Sequence, residues 1–324
     1  MRDVCVLGLG LIGGSVLRAA VAAGVPAWGA SGTSSAAAAT ADGYDVDTTA
    51  GALRRAADRD ALVVLAVPLT ATEQVLRQIA AVAPRCRLTD VVSVKAPVAD
   101  LVRRLLPDAR YVGGHPMAGT AESGWPAGSA TLFRDAAWVV LTENHLDGEL
   151  REVWLDVVQL ALDTGAHVVP VSAADHDAAV ARISHLPHVL AAVLASVGAD
   201  GGPLALALAA GSFADATRVA GTNPELVRAM CEGNRSELLA AVDDTLGRLG
   251  AARGALASTG SLRATLHDGH RGRLALDAAR AANRKRLDVE LAAEGAFTQL
   301  AELGGRGGRI VALDGSIAAV DVPA

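Results

Sequence analysis

Short apolar runs alternate with helical segments over the first half of the chain. The runs at residues 4–7 and 61–67 are uninterrupted, as expected of parallel strands covered on both faces. Further strands are predicted at residues 27–32, 88–95, 111–115, 137–141 and 166–171, and helices at residues 16–23, 69–82 and 148–163. This alternation predicts an α/β domain with a doubly wound sheet of the Rossmann type, whose ligands lie beyond the carboxyl ends of the strands.

The second half of the chain has a different pattern, because long helical segments follow one another without a strand between them. Helices are predicted at residues 174–197, 203–210, 224–231, 235–256 and 271–293. Apolar helices of this length often pack across a dimer interface, so we expect a homodimer. The predicted domains are a dinucleotide-binding domain over 1–171, an all-α domain over 172–294 and a tail over 295–324. In the tail, Asp314-Gly315 favours either a hairpin or a loosely held end.

Composition narrows the classes of partner. A net charge of −6 and an isoelectric point near 5.7 provide no basic field for nucleic acid or an anionic membrane. No stretch of about 18 apolar residues lacks Gly, Pro, His or a charge, so no membrane partner is expected. The three cysteines are far apart in the sequence, which favours reduced thiols and a cytoplasmic location. A secretory signal at the N-terminus is rejected because glycines and Arg18 interrupt the apolar run.

A G-x-G-x-x-G motif lies between the first strand and the first helix. Gly8 permits a tight turn, Gly10 lets the backbone approach a pyrophosphate, and Gly13 lets the helix pack closely on the strand. The pyrophosphate then lies at the helix N-terminus. The alternative is a plain glycine-rich turn, which the strand before and the helix after disfavour. The residues predicted to bind the cofactor are Gly8, Gly10, Leu11, Ile12, Gly13, Ser31, Val67 and Pro68.

The end of the second strand bears on the choice of cofactor. An NAD enzyme usually places Asp or Glu there for the adenosine ribose, whereas residues 30–35 supply hydroxyl groups, among them Ser31. Without a carboxylate to repel a 2′-phosphate NADP fits the position, yet no Arg stands nearby to bind that phosphate. The sequence therefore leaves NAD and NADP open.

A histidine with potential acid/base chemistry follows a predicted strand. His115 lies between Gly114 and Pro116 at the carboxyl edge of the sheet, where a base with a pKa near neutrality would face the cofactor. The alternative is a histidine hydrogen-bonded within a loop. Thr120 and Glu122 follow close behind.

Two further polar clusters lie in the helical half. His185 and His188 are three residues apart on one helix face, and Pro187 between them bends the helix. No third ligand is evident beside this pair, so no metal site is predicted. Arg218 is suited to bind a carboxylate in a bidentate manner, with Asp215 or Thr217 to orient it, although a solvated surface arginine is the alternative.

Five motifs taken together resemble one family. They are G-L-G-L-I-G-G-S at residues 8–15, D-V-V-S-V-K at 90–95, G-H-P-M-A-G at 114–119, S-H-L-P-H at 184–188 and F-A-D-A-T-R at 213–218. In this order they are similar to the prephenate/arogenate dehydrogenase family of tyrosine biosynthesis. The resemblance implies a Rossmann domain with a helical dimerisation domain. It also implies oxidative decarboxylation of a small cyclohexadienyl substrate, with hydride transfer to NAD(P)+.

The resemblance also implies a role for each matching residue. His115 matches the catalytic histidine that accepts the proton of the ring hydroxyl, and Ser93 matches the serine beside that hydroxyl. Arg218 matches the arginine that binds a substrate carboxylate. His188 and His185 match the histidines of the substrate pocket, and Thr120 and Glu122 fall near the expected position of the substrate side chain.

Departures from the family pattern leave the substrate open. Some members have an acidic residue where Ala121 stands here, and some have a tryptophan where this chain has Val227. Both positions lie near the expected side chain of the substrate, so prephenate and arogenate both remain. The alternatives to this family are another two-domain NAD(P) dehydrogenase of the β-hydroxyacid type and a catalytically silent nucleotide-binding homologue.

Overall fold

The structure is a computed structural model and describes residues 2–120, 122–143, 146 and 148–324. The chain divides into two compact units. The first unit comprises Met1–His176 and Arg286–Val322, and the second unit comprises Asp177–Lys285 and Pro323–Ala324. The final residues of the chain are therefore shared between the two units. The predicted domain limits at residues 171 and 294 stay predictions.

The strands are β1 (Val4–Leu7), β2 (Ala27–Ala30), β3 (Leu62–Leu65), β4 (Arg87–Asp90), β5 (Arg110–Tyr111), β6 (Gly114–Pro116), β7 (Ala137–Leu141), β8 (His167–Val171), β9 (Arg284–Glu290), β10 (Arg309–Asp314) and β11 (Ile317–Pro323). The helices are α1 (Leu11–Ala22), α2 (Thr33–Ala41), α3 (Thr49–Asp58), α4 (Leu69–Val82), α5 (Ala96–Leu105), α6 (Gly148–Asp163), α7 (Ala173–Val180), α8 (Leu186–Asp200), α9 (Gly202–Ala207), α10 (Gly211–Thr217), α11 (Pro224–Gly233), α12 (Arg235–Ser258), α13 (Arg263–Ala281) and α14 (Ala296–Gly305).

The first sheet of the first unit is parallel and has the strand order β2-β1-β3-β4-β5. The chain leaves β1 in one direction to form β2 and returns past β1 to form β3, so β1 and β3 flank the point where the strand order reverses. Both strands are buried along their whole length, which is why they lack polar alternation. Ligands of such sheets bind beyond the carboxyl ends at this point.

A second sheet follows the first along the chain, and the strand predicted at residues 111–115 is wrong. Residues 111–115 do not form a single strand, because β5 closes the first sheet and β6 opens the second. The break lies at Val112 and Gly113, between a parallel pairing with β4 and an antiparallel pairing with β7. The second sheet has the order β6-β7-β8-β10-β11-β9. His115 therefore lies on an edge strand of this sheet rather than on the first.

The C-terminal part of the chain also differs from the predicted pattern. The helix expected at residues 271–293 ends at Ala281, and Arg284–Glu290 is a strand. The hairpin indicated by Asp314-Gly315 is present, with Asp314 paired to Ile317 across β10 and β11. In α14, Phe297 packs its ring edge-on against Trp154 of α6, with 5.1 Å between ring centroids. Burial of these aromatic groups fixes the C-terminal segment against the second sheet.

The second unit is helical up to β9, as the sequence predicts. Its longest helix, α12, has 24 residues and buries only Leu238 and Ala241. Many of its other leucines are exposed in the single chain. By length and composition alone, the helical run Ala173–Asp200 could cross a membrane, but a core helix meets the same criteria.

Candidate active site

The glycines of the motif build a tight cradle at the carboxyl end of β1. Gly8 has φ of +100°, and a Cβ there would collide with the backbone oxygen of Ala66. A Cβ on Gly13 would collide with the carbonyl oxygen of Gly8, whereas one on Gly10 would meet no atom within 4 Å. Gly8 and Gly13 thus serve the fold itself, and Gly10 keeps one side of the loop open to a ligand.

The remaining predicted cofactor residues surround this cradle. Gly10 is the N-cap of α1 and makes no side-chain capping bond, and Leu11 and Ile12 form the first turn. Val67 is half-buried and Pro68 is the N-cap of α4 after β3. The backbone N–H of Leu9 donates to the hydroxyl of Ser31 at 3.1 Å. Ser31 therefore ties the end of β2 to the glycine loop, a structural role that the sequence did not indicate.

A fully buried ion pair lies beside the predicted catalytic residues. The ammonium of Lys95 donates to Asp90 Oδ1 and, at 2.6 Å, to the carbonyl oxygen of Gly114. Asp90 also accepts from the Tyr111 hydroxyl at 2.6 Å and from the backbone N–H of Val92 at 2.8 Å. Lys95 therefore fixes the residue before His115. Lys95 thus has a structural role in the interior, where its side chain is fully buried.

Ser93 lies in the loop held by this ion pair. It is half-buried between β4 and α5, two residues before Lys95. Because Lys95 also binds the carbonyl of Gly114, the loop that carries Ser93 and the strand that carries His115 share one buried anchor.

His115 is half-buried on β6 and contacts a second histidine. Its Nδ1 lies 2.9 Å from Nε2 of His176, and the two rings meet edge to face at an interplanar angle of 79°. His176 belongs to α7 and is only 2% exposed. Neither ring can rotate without breaking this contact. The structure therefore supplies His115 with a partner, His176, that no motif in the sequence indicates.

The segment after β6 is attached to α1. Trp125 stacks over the guanidinium of Arg18 at 3.4 Å from the ring centroid, and its indole N–H donates to Asp42 at 2.7 Å. Thr120 and Glu122 are exposed on this segment, and the backbone N–H of Glu122 donates to the Thr120 hydroxyl at 3.2 Å. Ala121 lies outside the described residues.

In the second unit, His185 is held in a buried polar contact. It ends a π-helical turn, Ala181–His185, and Pro187 follows two residues later. Proline has no N–H to continue the regular ladder, which accounts for a widened turn at this point. The side-chain amide of Asn234 donates to the carbonyl of Asp177 at 2.7 Å and lies 3.2 Å from His185 Nδ1. Because His185 is fully buried and contacts Asn234, its role in this turn is structural.

The charge of Arg218 acts on His188 within the second unit. Burial lowers the pKa of His188, and the positive charge of Arg218 lowers this pKa further. A hydrogen bond with the backbone of Val219 acts in the opposite direction and raises it. His188 is therefore neutral near pH 7, and it can accept or donate a hydrogen bond there. Arg218 is exposed and forms no ion pair with any residue that the structure describes. The hydroxyl of Thr217 donates to the backbone of Phe213 at 2.7 Å, so it is engaged within its own helix.

Comparison with known families identifies the protein class. The model of the prephenate dehydrogenase nucleotide-binding domain matches residues 27–170, and that of the prephenate dehydrogenase dimerization domain matches residues 172–264. Together these ranges cover most of the chain. The chain belongs to the prephenate dehydrogenase family. The predicted resemblance, the fold class and the assignment as an oxidoreductase are thereby confirmed.

Individual members of the prephenate dehydrogenase family support this assignment. Prephenate dehydrogenase of Bacillus subtilis is 32% identical over 253 residues, which are 75% of this chain and 67% of that protein. A candidate prephenate dehydrogenase from Corynebacterium glutamicum has a crystal structure with a TM-score of 0.90 and 46% identity, covering 95% of this chain and 98% of that one.

A more distant structure shares the fold of the family. Prephenate dehydrogenase from Aquifex aeolicus, crystallised with hydroxyphenyl propionate and NAD+, has a TM-score of 0.76 and 22% identity, covering 85% of this chain and 98% of that one. At this identity the likeness concerns the fold.

The two buried cysteines of this prephenate dehydrogenase family member are not candidate nucleophiles. Burial raises the pKa of the Cys5 and Cys86 thiols to about 12, so both are protonated at neutral pH and are poor nucleophiles. In the part of the chain that the structure describes, no group of three or more His, Cys, Asp or Glu side chains is arranged to hold a metal ion.

Proposed function

We propose that the chain catalyses NAD(P)-dependent oxidative decarboxylation of prephenate to 4-hydroxyphenylpyruvate, or of arogenate to tyrosine. The observation that carries the proposal is His115: a half-buried histidine in the G-H-P-M-A-G motif, with Nδ1 held at 2.9 Å by His176. An oriented imidazole with one nitrogen engaged is the arrangement that a general base requires.

The glycine cradle fits a dinucleotide. Gly8 and Gly13 close the turn tightly, Gly10 leaves the backbone open, and the N-terminus of α1 has no side-chain cap. Its N–H groups and helix dipole favour a pyrophosphate. When bound, the nicotinamide supplies the hydride acceptor. No carboxylate follows β2, and the Ser31 hydroxyl accepts a hydrogen bond from the backbone N–H of Leu9. These features do not select between NAD+ and NADP+, and the assay below compares the two cofactors.

His115 is the group that moves the proton. It accepts the proton of the ring hydroxyl while hydride leaves the carbon that bears this hydroxyl. The loss of both converts the carbinol to a ketone. The bond from the ring to its carboxylate then breaks and CO2 departs. The electron pair of that bond moves through the ring to the ketone oxygen, and the resulting aromatic phenolate takes its proton back from protonated His115. Ser93 hydrogen-bonds the reacting hydroxyl and orients it.

Arg218 and His188 of the second unit are assigned to substrate binding. Arg218, exposed and without an ion pair among the described residues, binds a substrate carboxylate in a bidentate manner. Neutral His188 donates a hydrogen bond to the substrate. His185 is fully buried, so it contributes to this pocket by holding the helical turn before His188 rather than by contact with the substrate. The family resemblance assigns Thr120 and Glu122 of the first unit to the substrate side chain. A homodimer through the helical domain and a cytoplasmic location complete the proposal.

The test is a reduced-nicotinamide absorbance assay with prephenate or arogenate and with NAD+ or NADP+. We expect turnover in at least one combination, and a loss of kcat of about 10²- to 10⁴-fold in His115→Asn, with binding of reduced cofactor unchanged. His267→Asn on the exposed face of α13 is the matched control and should retain full activity. Absence of turnover in all four combinations would refute the dehydrogenase assignment. If the activity of His115→Asn stays within a few-fold of wild type, His115 is not the general base.

A further inference from the structure

The contact between His115 and His176 constrains where the protons of both rings reside. A neutral imidazole carries one N–H, so two ring nitrogens 2.9 Å apart can share only one proton between them if both rings are neutral. One ring must donate and the other must accept. The geometry alone permits either direction, and the chemistry of the base decides which one is productive.

A general base must present a lone pair to the substrate. If His115 engages His176 through Nδ1, the substrate hydroxyl is served by Nε2, and Nε2 must be unprotonated before the reaction. The ring proton of neutral His115 is then on Nδ1 and is donated to Nε2 of His176. His176 in turn carries its own proton on Nδ1.

We propose that His176 is a positioning residue that fixes the tautomer and the ring orientation of His115. This inference rests on the proposed role of His115 as the base. As His115 takes the substrate proton it becomes an imidazolium, and its Nδ1–H donates a charge-assisted bond to neutral His176. The contact therefore strengthens as positive charge develops, which favours proton transfer. A histidine acts here in the manner of a carboxylate in a hydrolase triad, but without adding a negative charge.

The surroundings of His176 are suited to this role because its helix begins at a defined point. Ser172 caps α7 by accepting from the backbone N–H of Asp175 at 3.1 Å, and its hydroxyl donates to the carboxylate of Asp175 at 2.7 Å. The backbone N–H of His176 donates to the carbonyl of Ser172 at 3.0 Å. This capping fixes the first turn, on which the almost completely buried ring of His176 is carried.

His115 is held equally firmly from its own side. It pairs with Val139 across β6 and β7, and the carbonyl of the preceding Gly114 accepts from buried Lys95 at 2.6 Å. Two separately anchored backbones thus bring the rings together. A precise ring contact between anchored elements is what positioning of a catalytic group requires.

The tautomer can be measured without turnover. In the wild-type protein labelled with ¹⁵N-histidine, long-range ¹H–¹⁵N spectra at a pH where His115 is neutral should show His115 protonated at Nδ1 and bare at Nε2, with signals assigned by means of His115→Asn. His176→Gln keeps an acceptor near the former Nε2 and should preserve this tautomer. His176→Leu removes the acceptor and should shift His115 toward the Nε2–H form. A wild-type His115 protonated at Nε2 would overturn the inference without recourse to any variant.

Kinetics provide the second readout. We expect His176→Leu to lower kcat about 10²- to 10³-fold while KM changes less than about threefold, because the change affects the base and not the binding groups. His176→Gln should recover activity to within about tenfold of wild type. Thermal unfolding and cofactor binding serve as controls for the fold. Equal loss of kcat in the two variants, or a rise in KM with kcat unchanged, would contradict a positioning role.

The two proposals fail in different ways. Absence of turnover by the wild-type enzyme with any substrate and cofactor would remove the proposed function, whereas the tautomer measured by NMR would still stand. Normal turnover combined with an unaltered tautomer in His176→Leu would instead remove the role of His176 alone.

Discussion

Lys95 illustrates how a single buried charge can organise the surroundings of a site. Its side chain and that of Asp90 are both fully buried, and each has further polar partners in the interior. A buried ion pair contributes little net stability compared with well-packed apolar groups, but removal of one member leaves the other charge uncompensated. We interpret the pair as an anchor that joins the loop bearing Ser93 to the strand bearing His115.

We therefore expect Lys95→Met to destabilise the protein by about 3–5 kcal/mol, because Asp90 is left as an unpaired buried carboxylate. Chemical denaturation of wild type and variant measures the difference in the free energy of unfolding. The double variant Lys95→Met with Asp90→Asn removes both charges and should recover at least about 1 kcal/mol of that loss. A single variant as stable as wild type would show that the pair is not a structural anchor.

At the level of elements, the turn from β1 into α1 separates two roles of glycine. Gly13 is needed because its helix touches the backbone of Gly8, and Gly8 is needed for its positive φ and its contact with Ala66. Gly10 has no such internal constraint, since a Cβ there would meet open space. Its absence of a side chain matters only if a ligand approaches.

This difference yields a matched pair of variants. We expect the free energy of unfolding of Gly10→Ala to lie within about 1 kcal/mol of the wild-type value. The variant should bind reduced cofactor at least about tenfold more weakly. Gly13→Ala should lower the free energy of unfolding by more than about 2 kcal/mol, because the new methyl group overlaps a backbone oxygen. Chemical denaturation and fluorescence titration with reduced cofactor measure the two effects. Unchanged cofactor affinity in Gly10→Ala would mean that the dinucleotide does not lie against this loop.

At the scale of the whole molecule, α12 has a stripe of leucines that the single chain leaves exposed. Leu239, Leu246, Leu249 and Leu256 follow one another at intervals of seven, three and seven residues and are each 53% to 59% exposed. This spacing places them on one face of the helix. The dimerization-domain model of the family covers these positions. We propose that a second copy of the chain covers this face.

Sedimentation of a double variant, Leu246→Glu with Leu249→Glu, tests the dimer. We expect wild type to sediment as a dimer and the variant as a monomer at the same protein concentration, because two carboxylates would have to be desolvated in the interface. Arg248→Glu on the same helix is the control, since Arg248 is exposed and pairs only with Asp244 among the described residues. A variant that remains dimeric would place the interface elsewhere.

Local patterns in the sequence were sufficient for the family and for several elements of the first unit. Uninterrupted apolar runs predicted β1 and β3, the helix at residues 148–163 and the strand at 137–141 have the predicted bounds, and five motifs indicated the family that the comparisons confirm. These features depend on side chains a few residues apart or on the φ of one glycine. Periodicity and motif spacing report directly on such short-range constraints.

The tertiary structure decided what depends on residues distant in the chain. It divided residues 110–116 between two sheets, made a strand of residues 284–290, and buried Lys95 against a carbonyl 19 residues away. It also brought His176 to His115 across 61 residues. No local pattern encodes such a meeting, because it depends on how β6 pairs with β7 and where α7 begins after β8. The sequence thus determined the chemistry that the chain carries, and the packing of the first unit determined which histidine could orient the predicted base.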